Sequence, residues 1–328
     1  MYRRPALRSF FAVAALAALT TLGVAACADP TSTPSSGGGG SPAAGESPAA
    51  GSGSYATTTW DLQPVDSVAK LVPEEYKSKP ISNGQYNDYP PQEFLEGQTL
   101  VGIQPDIVLA LSEVMGVKVE NQSVGSFDSL IPGLSTGRYD MSSADFGVTK
   151  PRLEQVDFVS EFAIGTAFAT KTGSPITVAQ PTDLCGHSIG VLNGSYFVDQ
   201  VNQASADCEK AGKEPLTVQT YPTDGARVLA ITNGRVEITA ATVDAMAWVI
   251  KSESVPLTVQ TLVYEPLEQG IALPKDSKLG PALQAAMKEI MNNGTYTKIL
   301  QKWDVAQIGY TSPDQVKLYT DPSQLAAS

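Results

Sequence analysis

The sequence has very few of the side chains that carry metal-ion and nucleophilic chemistry. Its 328 residues include three cysteines and a single histidine. A thiolate or imidazole metal site needs three or four such ligands. A Ser–His or Cys–His catalytic couple would have to use His187, which lies between Gly186 and the apolar run Ile189–Leu192. We therefore predict no metal site and no cofactor, and a structural role for His187 at the edge of a strand.

Basic residues are also scarce. The chain has 22 lysines and arginines against 34 aspartates and glutamates, a net charge of −12. Three of the arginines lie within the first eight residues, so the remaining chain carries 19 basic against 34 acidic residues, a net charge of −15. A strongly negative surface repels nucleic acid and anionic lipid. We expect no nucleic-acid partner and no direct contact of the folded part with a membrane.

The apolar stretch at the N-terminus is too short to cross a membrane. It runs from Phe10 to Ala26 without a charge and follows Arg3, Arg4 and Arg8. A spanning helix needs about 20 apolar residues, whereas a basic start followed by a short apolar run is typical of a secretory signal. Residues 1–26 are therefore predicted to be a signal peptide.

The next segment lacks the residues that build a core. Val24-Ala25-Ala26-Cys27 resembles the lipobox of bacterial lipoproteins, in which the cysteine becomes the lipidated N-terminus. Residues 28–54 are almost entirely Pro, Ser, Thr, Gly and Ala, a composition typical of flexible linkers. Residues 27–55 are thus predicted to be a lipidated Cys27 and a linker that anchors a soluble body. The alternative is ordinary secretion with an incidental cysteine.

Two cysteines remain beyond Cys27. Cys185 and Cys208 would lie outside the cytoplasm, where disulfides persist. We predict that they are joined, and closing a loop of this length contributes about 3 kcal/mol in the chain-entropy model.

The remaining 270 or so residues alternate between helical and strand patterns. Apolar residues recur with the 3.6-residue period of a helix in two segments: Ile107, Ala110, Leu111, Val114 and Met115 before Gly116, and Leu283, Ala286, Met287, Ile290 and Met291 before Asn292-Asn293-Gly294. Short apolar runs predict strands at Val117–Val119 and buried strands at Ile189–Leu192, Leu216–Tyr221 and Val236–Ala241. Such alternation indicates an α/β fold rich in parallel strands.

Three groups of short motifs resemble the extracellular solute-binding proteins of family 3, which serve polar amino-acid ABC importers. The first group is Tyr89-Pro90-Pro91 with Gly102–Ile107. The second is Phe127–Leu134, Gly137–Asp140, Thr149–Arg152 and Val156–Phe158. The third is Asp183–Gly186, Gly190-Val191, Asn233–Glu237, Ala272–Lys275, Asn293–Thr295 and Lys302-Trp303. Their order and spacing over about 220 residues carry the resemblance.

The resemblance implies a two-lobed, periplasmic-binding-protein-like (type II) α/β fold with two hinge crossovers. Lobe 1 would comprise residues 56–168 and 266–328, and lobe 2 residues 169–265. The crossovers would lie near Phe168–Lys171 and Tyr264–Leu267. The lobes would close on a small solute, and an ABC permease with its ATPase would read the closed form. The protein would be a monomer on the outer face of the cell membrane.

Three side chains match ligand-binding positions of the family. Arg152 stands where an arginine grips the ligand carboxylate, a task that suits the two parallel donors of a guanidinium. Tyr89 and Phe127 stand where aromatic rings cover the ligand side chain, and such rings accept a cationic or apolar group. Ser195 and Tyr196, with Asn193, lie where a loop of lobe 2 presents hydroxyls and amides.

Five further positions depart from the family pattern. Asp145 replaces a small glycine or serine and is followed by the bulky Phe146, and Gly147 replaces a hydroxyl-bearing residue that helps to bind the carboxylate. Thr242 replaces the aspartate that binds the ligand ammonium, with Asp244 two residues later. Either Asp145 supplies the missing negative charge for a cationic ligand, or the ligand lacks an α-ammonium and Asp145 pairs with Arg152.

Two other functions share these motifs. A periplasmic dehydratase-like enzyme would need an acid–base pair in the cleft, and Asp145 with Asp244 could serve. A sensor lipoprotein would present its ligand to a receptor. We favour a binding protein that is not an enzyme and that captures a carboxylate-bearing, amine-bearing or otherwise cationic solute.

Overall fold

The computed structural model describes residues 54–325. The predicted signal peptide, Cys27 and almost all of the predicted linker lie outside these residues. Within 54–325 no helix has the length and apolar character needed to cross a membrane.

The described part of the chain forms nine α-helices. They are α1 (Asp66–Ala69), α2 (Ile103–Met115), α3 (Leu130–Ser135), α4 (Lys150–Leu153), α5 (Tyr196–Lys210), α6 (Asp224–Thr232), α7 (Val243–Lys251), α8 (Gly280–Asn292) and α9 (Thr295–Lys302). The helical periods in the sequence correctly predicted α2 and α8. Gly116 ends α2 in the left-handed conformation, with φ of 69°, which glycine adopts without a steric cost.

Twelve strands accompany the helices in residues 54–325. They are β1 (Ile81–Tyr86), β2 (Asp88–Tyr89), β3 (Glu93–Glu96), β4 (Thr99–Val101), β5 (Val119–Val124), β6 (Met141–Gly147), β7 (Val156–Lys171), β8 (Ser188–Leu192), β9 (Thr217–Tyr221), β10 (Ile238–Thr242), β11 (Leu257–Pro274) and β12 (Leu318–Tyr319). The main sheet has the order β5-β1-β6-β11-β7-β10-β8-β9, with β12 paired to β7, and β2-β3-β4 form a small separate sheet.

Two long antiparallel strands run through both halves of the main sheet. β7 and β11 pair from Lys171 and Leu257 at one end to Val156 and Pro274 at the other. Near the end with Val156 and Pro274, β11 also pairs with β6. Near the end with Lys171 and Leu257, β7 also pairs with β10 through Thr166–Thr170. We call the half containing β1–β6, α1–α4, α8 and α9 lobe 1, and the half containing β8–β10 and α5–α7 lobe 2. The fold is α/β and two-lobed, as predicted, and the residue boundaries of the lobes stay a prediction.

Three details of the predicted strands are wrong. The buried strand predicted from Val236 begins at Ile238, and Glu237 is exposed. Leu216–Tyr221 was expected to be a buried strand, but β9 begins at Thr217 and its residues are exposed or half-buried. The reason is its place at the edge of the sheet, where only β8 covers it. The strand predicted from Val117 begins at Val119, because Val117 still completes the end of α2 by donating to Ser112 O.

The two remaining cysteines are joined. A disulfide links Cys185, just before β8, to Cys208 in α5, across 23 residues of sequence. His187 immediately precedes β8 and lies 3.5 Å from the Glu237 carboxylate through Nδ1, an arrangement that fits the structural role expected for it.

Candidate functional site

The predicted site residues lie at the boundary between the lobes. Tyr89 in β2 reaches the end of β10, where its hydroxyl accepts from the backbone N–H of Thr242 at 3.0 Å and lies 2.9 Å from Thr242 Oγ1. Both residues are buried. Tyr89 and Thr242, two of the predicted site residues, thus form a contact between lobe 1 and lobe 2.

Arg152 also links the lobes. It is buried in α4, and its guanidinium donates to Gly147 O at 2.8 Å and to Gly194 O of lobe 2 at 2.9 Å. The guanidinium carbon lies 5.7 Å from the ring centroid of Phe127 and 5.5 Å from that of Phe146, within the range of cation–π attraction. Burial lowers the Arg152 pKa to about 10, so the side chain stays cationic at neutral pH.

Asp145 has an unusual backbone conformation near the end of β6. Its φ is 48°, in the left-handed region, where glycine is favoured and aspartate is better tolerated than most other residues. The side chain is buried, and Oδ1 has no hydrogen-bond partner. Burial raises the Asp145 pKa well above its usual range, repulsion from Asp244 and Glu161 adds to the rise, and Arg152 opposes it.

Asp145 forms no salt bridge with Arg152 among the residues described. Arg152 is instead directed to two backbone carbonyl oxygens. A direct Asp145–Arg152 pair, the second of the two explanations offered by the sequence, is therefore not the arrangement in this structure.

Asp244 lies in the first turn of α7, within lobe 2. Its Oδ2 accepts from Gln92 Nε2 of lobe 1 at 2.5 Å, and its Oδ1 has no partner. Burial raises the Asp244 pKa. Asp244, two residues after Thr242, thus reaches the interlobe boundary with one carboxylate oxygen that has no partner.

Two further acidic residues that were not predicted from the sequence join this site. Glu93 in β3 is fully buried, and neither carboxylate oxygen has a partner. Glu161 in β7 is fully buried, and it accepts from Gln104 Nε2 at 3.2 Å while Oε2 has no partner. Burial raises the Glu161 pKa to about 8. Burial and repulsion from Asp145, Glu161 and Asp244 raise the Glu93 pKa well above its usual range.

We refer to Glu93, Asp145, Glu161 and Asp244 as the acidic cluster. Gln92 and Gln104 link two members of the cluster: Gln92 donates to Asp244 Oδ2, and Gln104 Nε2 donates to Gln92 Oε1 at 3.5 Å and to Glu161 Oε1 at 3.2 Å. Glu93 is next to Gln92 in the sequence, and repulsion from Asp145, Glu161 and Asp244 adds to the rise of its pKa. Burying an ionised carboxylate without a partner is costly, so such groups stay protonated or pair with a cation. The cluster therefore favours a positively charged occupant. A signal for the missed members exists in the sequence, because Glu161 and Asp157 are the charged residues of the largely apolar segment Val156–Gly165, and Glu93 follows the Tyr89-Pro90-Pro91 motif.

The remaining predicted residues line the same boundary but have other contacts. Phe127 packs on Phe146 with ring centroids 5.0 Å apart, and Phe146 is fully buried. Ser195 donates its hydroxyl to Leu192 O at 2.6 Å. The Tyr196 ring occupies the space beside Gly147, and its buried hydroxyl has no partner.

Two cavities flank the site. The larger, about 920 Å³, lies between α5 and the segment Val148–Pro151, with Tyr196 and Leu267 in its wall. The smaller, about 430 Å³, lies between Asp88 and the start of α6. Neither is lined by Arg152 or by the acidic cluster, whose side chains are buried. Within residues 54–325 no group of three His, Cys, Asp or Glu side chains has the arrangement of a metal site.

Comparisons with known proteins agree with the geometry. A family model described as bacterial extracellular solute-binding proteins, family 3, matches residues 81–306. The arginine-binding protein ArgT of Corynebacterium glutamicum is 28% identical over 247 residues, covering 74% of this chain and 81% of its own length. The arginine-binding extracellular protein ArtP of Bacillus subtilis is 27% identical over 235 residues, covering 70% of this chain and 88% of its own.

A solved structure shows the same likeness. An ancestral arginine-binding protein bound to arginine superimposes with a TM-score of 0.62 at 29% identity, covering 68% of this chain and 97% of that protein.

Proposed function

Because this chain belongs to the bacterial extracellular solute-binding proteins of family 3, we propose that it captures a cationic amino acid, with arginine as the first candidate, for an ABC importer. The observation that carries this proposal is the acidic cluster at the interlobe boundary. Four buried carboxyl groups have oxygens that lack partners, Gln92 and Gln104 connect two of them, and Arg152 is a buried cation at the same boundary.

The charge balance favours a ligand with two cationic groups and one carboxylate. A guanidinium or ammonium supplies both the donors and the positive charge that the unpartnered carboxylate oxygens need. Asp145 and Asp244 then take over the role of the aspartate that Thr242 replaces. Arg152 binds the ligand carboxylate, for which three of its five N–H donors remain beyond the two used by Gly147 O and Gly194 O.

The aromatic side chains complete the proposed site. Tyr89 and Phe127 contact the aliphatic or cationic part of the ligand, and Phe146 supports Phe127 and the Arg152 guanidinium from behind. Gly147, Ser195, Tyr196 and Thr242 shape the boundary between the lobes. Basic amino acids offer the combination of flat or extended cationic side chain and α-carboxylate that suits these groups.

The location follows from the predicted N-terminal signal. We propose that Cys27 is lipidated and holds the protein on the outer face of the membrane, where a permease and its ATPase are the partners and the protein acts as a monomer. Relatives named as extracellular and periplasmic arginine-binding proteins support this location. We infer a binding protein and not an enzyme, so a bound solute should be recovered chemically unchanged.

Titration calorimetry with three related ligands tests the proposal. Arginine has a cationic side chain, citrulline has nearly the same shape without the charge, and agmatine keeps the guanidinium but lacks the carboxylate. Arginine should bind at least about 30-fold more tightly than citrulline, because a buried carboxylate left without its cation costs about 2 kcal/mol or more. Equal binding of citrulline and arginine would contradict the proposed role of the acidic cluster. Mass spectrometry of the released ligand checks that it is unaltered.

A further inference from the structure

Four aromatic rings meet on the surface at the boundary of the lobes. We call Tyr55, Phe94, Trp248 and Trp303 the aromatic clasp. All six ring pairs have centroids between 5.3 and 6.0 Å apart. Tyr55 stacks on Trp303 with an interplanar angle of 24° and meets Trp248 at 61°. Offset-stacked and edge-to-face pairs at such distances are mutually attractive beyond their buried area.

The rings come from four separate parts of the chain. Phe94 in β3 and Trp303 directly after α9 belong to lobe 1, whereas Trp248 in α7 belongs to lobe 2. Tyr55 belongs to the N-terminal segment that precedes α1. Trp248 packs against the hydrophobic core of lobe 1. The clasp is therefore an apolar contact between the lobes that Tyr55 covers from outside.

The N-terminal segment is firmly attached to lobe 1. Lys302 Nζ donates to Tyr55 O at 2.8 Å and to Thr57 Oγ1 at 2.6 Å. The Glu113 carboxylate accepts from Thr59 Oγ1 at 2.8 Å and from the backbone N–H of Trp60 at 2.9 Å. Because these contacts place the backbone at residues 55–60, the Tyr55 ring is held in position against Trp248.

Two residues of the clasp lie close in sequence to members of the acidic cluster, one pair in a helix and the other in a strand. Asp244 and Trp248 are four residues apart on α7, so they lie on the same side of that helix. Glu93 and Phe94 are consecutive in β3, so one points into the cluster while the other points to the opposite face. Movement of α7 away from lobe 1 would separate Asp244 from Gln92 and Trp248 from Tyr55 together.

We propose that Tyr55 is a positioning residue that holds α7 against lobe 1 through Trp248, keeps the lobes in the arrangement of this structure with or without ligand, and slows ligand release. The part concerning release rests on the proposed function. The part concerning the lobes does not, since it rests on the ring contacts alone.

The first experiment compares three variants of the mature chain by stopped-flow release of arginine. Tyr55→Ala removes a ring that contacts both Trp303 and Trp248, in addition to their direct contact at 5.9 Å, and release should accelerate about three- to tenfold. Tyr55→Phe keeps the ring and should restore the wild-type rate. Thr58→Ala is the matched control, because it shortens an exposed side chain of the same segment and should leave the rate unchanged. Equal acceleration by Thr58→Ala and Tyr55→Ala, or none by Tyr55→Ala, would overturn the proposal.

The second experiment needs no ligand. Spin labels at Leu71→Cys in lobe 1 and Leu229→Cys in lobe 2, both exposed positions, report the interlobe distance by double electron–electron resonance. In Tyr55→Ala the distance distribution should broaden and shift relative to that of the labelled wild type. An unchanged distribution would overturn the clasp. If wild-type protein binds no arginine while the distribution still shifts, the proposed function has failed and the clasp stands.

Discussion

A Cβ atom on Gly147 would lie 2.6 Å from Cδ1 of Tyr196 and 2.8 Å from Cδ2 of Leu267. The ring of a lobe 2 residue thus fills the place where a side chain of lobe 1 would begin. The resemblance to the family leads one to expect a hydroxyl-bearing residue at position 147. Its absence has a structural cause, because Tyr196 and a side chain at 147 cannot occupy the same space in the closed arrangement.

We expect Gly147→Ala to destabilise the protein by about 1–3 kcal/mol, the usual cost of overpacking a filled site. In a Tyr196→Ala background the same change should cost at least about 1 kcal/mol less, because the added methyl group then meets only the flexible end of Leu267. Denaturant unfolding of the four proteins measures this coupling. Tyr196→Phe is the control, since its ring keeps the atoms that clash. Purely additive effects would show that the two residues do not compete for space.

Arg152→Ala should weaken arginine binding by roughly 30-fold or more, since the loss of one partner of a buried charge pair usually costs about 2–5 kcal/mol. Calorimetry with agmatine separates the two possible roles of this side chain. If Arg152 binds the ligand carboxylate, agmatine affinity should change much less than arginine affinity. If Arg152 acts only through Gly147 O and Gly194 O, both affinities should fall by the same factor.

Asp145→Asn should reduce arginine affinity about tenfold or more, equivalent to about 1.4 kcal/mol, because the amide cannot pair with the ligand cation as a carboxylate does. Citrulline affinity should change by less than about threefold, and the thermal stability of the ligand-free protein should fall little. Tighter arginine binding by the Asn variant would show that Asp145 opposes the ligand and mainly offsets the charge of Arg152.

Glu161 should make the stability of the ligand-free protein depend on pH. Burial raises its pKa from the ordinary 4.5 to about 8, so between these pH values the native carboxyl holds a proton that the unfolded chain releases. The free energy of unfolding should therefore decrease as pH rises from 4.5 towards 8. Glu161→Gln mimics the neutral form, and its melting temperature should fall less over the same range.

The other members of the acidic cluster shift in the same direction, so a residual slope is expected in the variant. The measured quantity is the difference between the two melting curves across pH. Parallel curves for wild type and Glu161→Gln would mean that Glu161 has the same pKa in the folded and unfolded states.

The sequence determined the features that depend on neighbours along the chain. The spacing of Ile107, Leu111 and Val114 predicted α2 because a helix repeats every 3.6 residues, and Gly116 predicted its end because glycine adopts a positive φ without a clash. The motifs from Tyr89 to Trp303 identified the family, and the pairing of Cys185 with Cys208 followed from the small number of cysteines.

Only the tertiary structure decided which side chains meet and which remain without a partner. Glu93, Asp145, Glu161 and Asp244 come from β3, β6, β7 and α7, so their proximity depends on long-range strand pairing and on closure of the lobes. Burial and unpartnered oxygens are properties of packing, and no periodicity along the chain reports them. The same reason applies to Tyr55 and Trp248, which lie 5.6 Å apart because folding brings the N-terminal segment and α7 to one boundary.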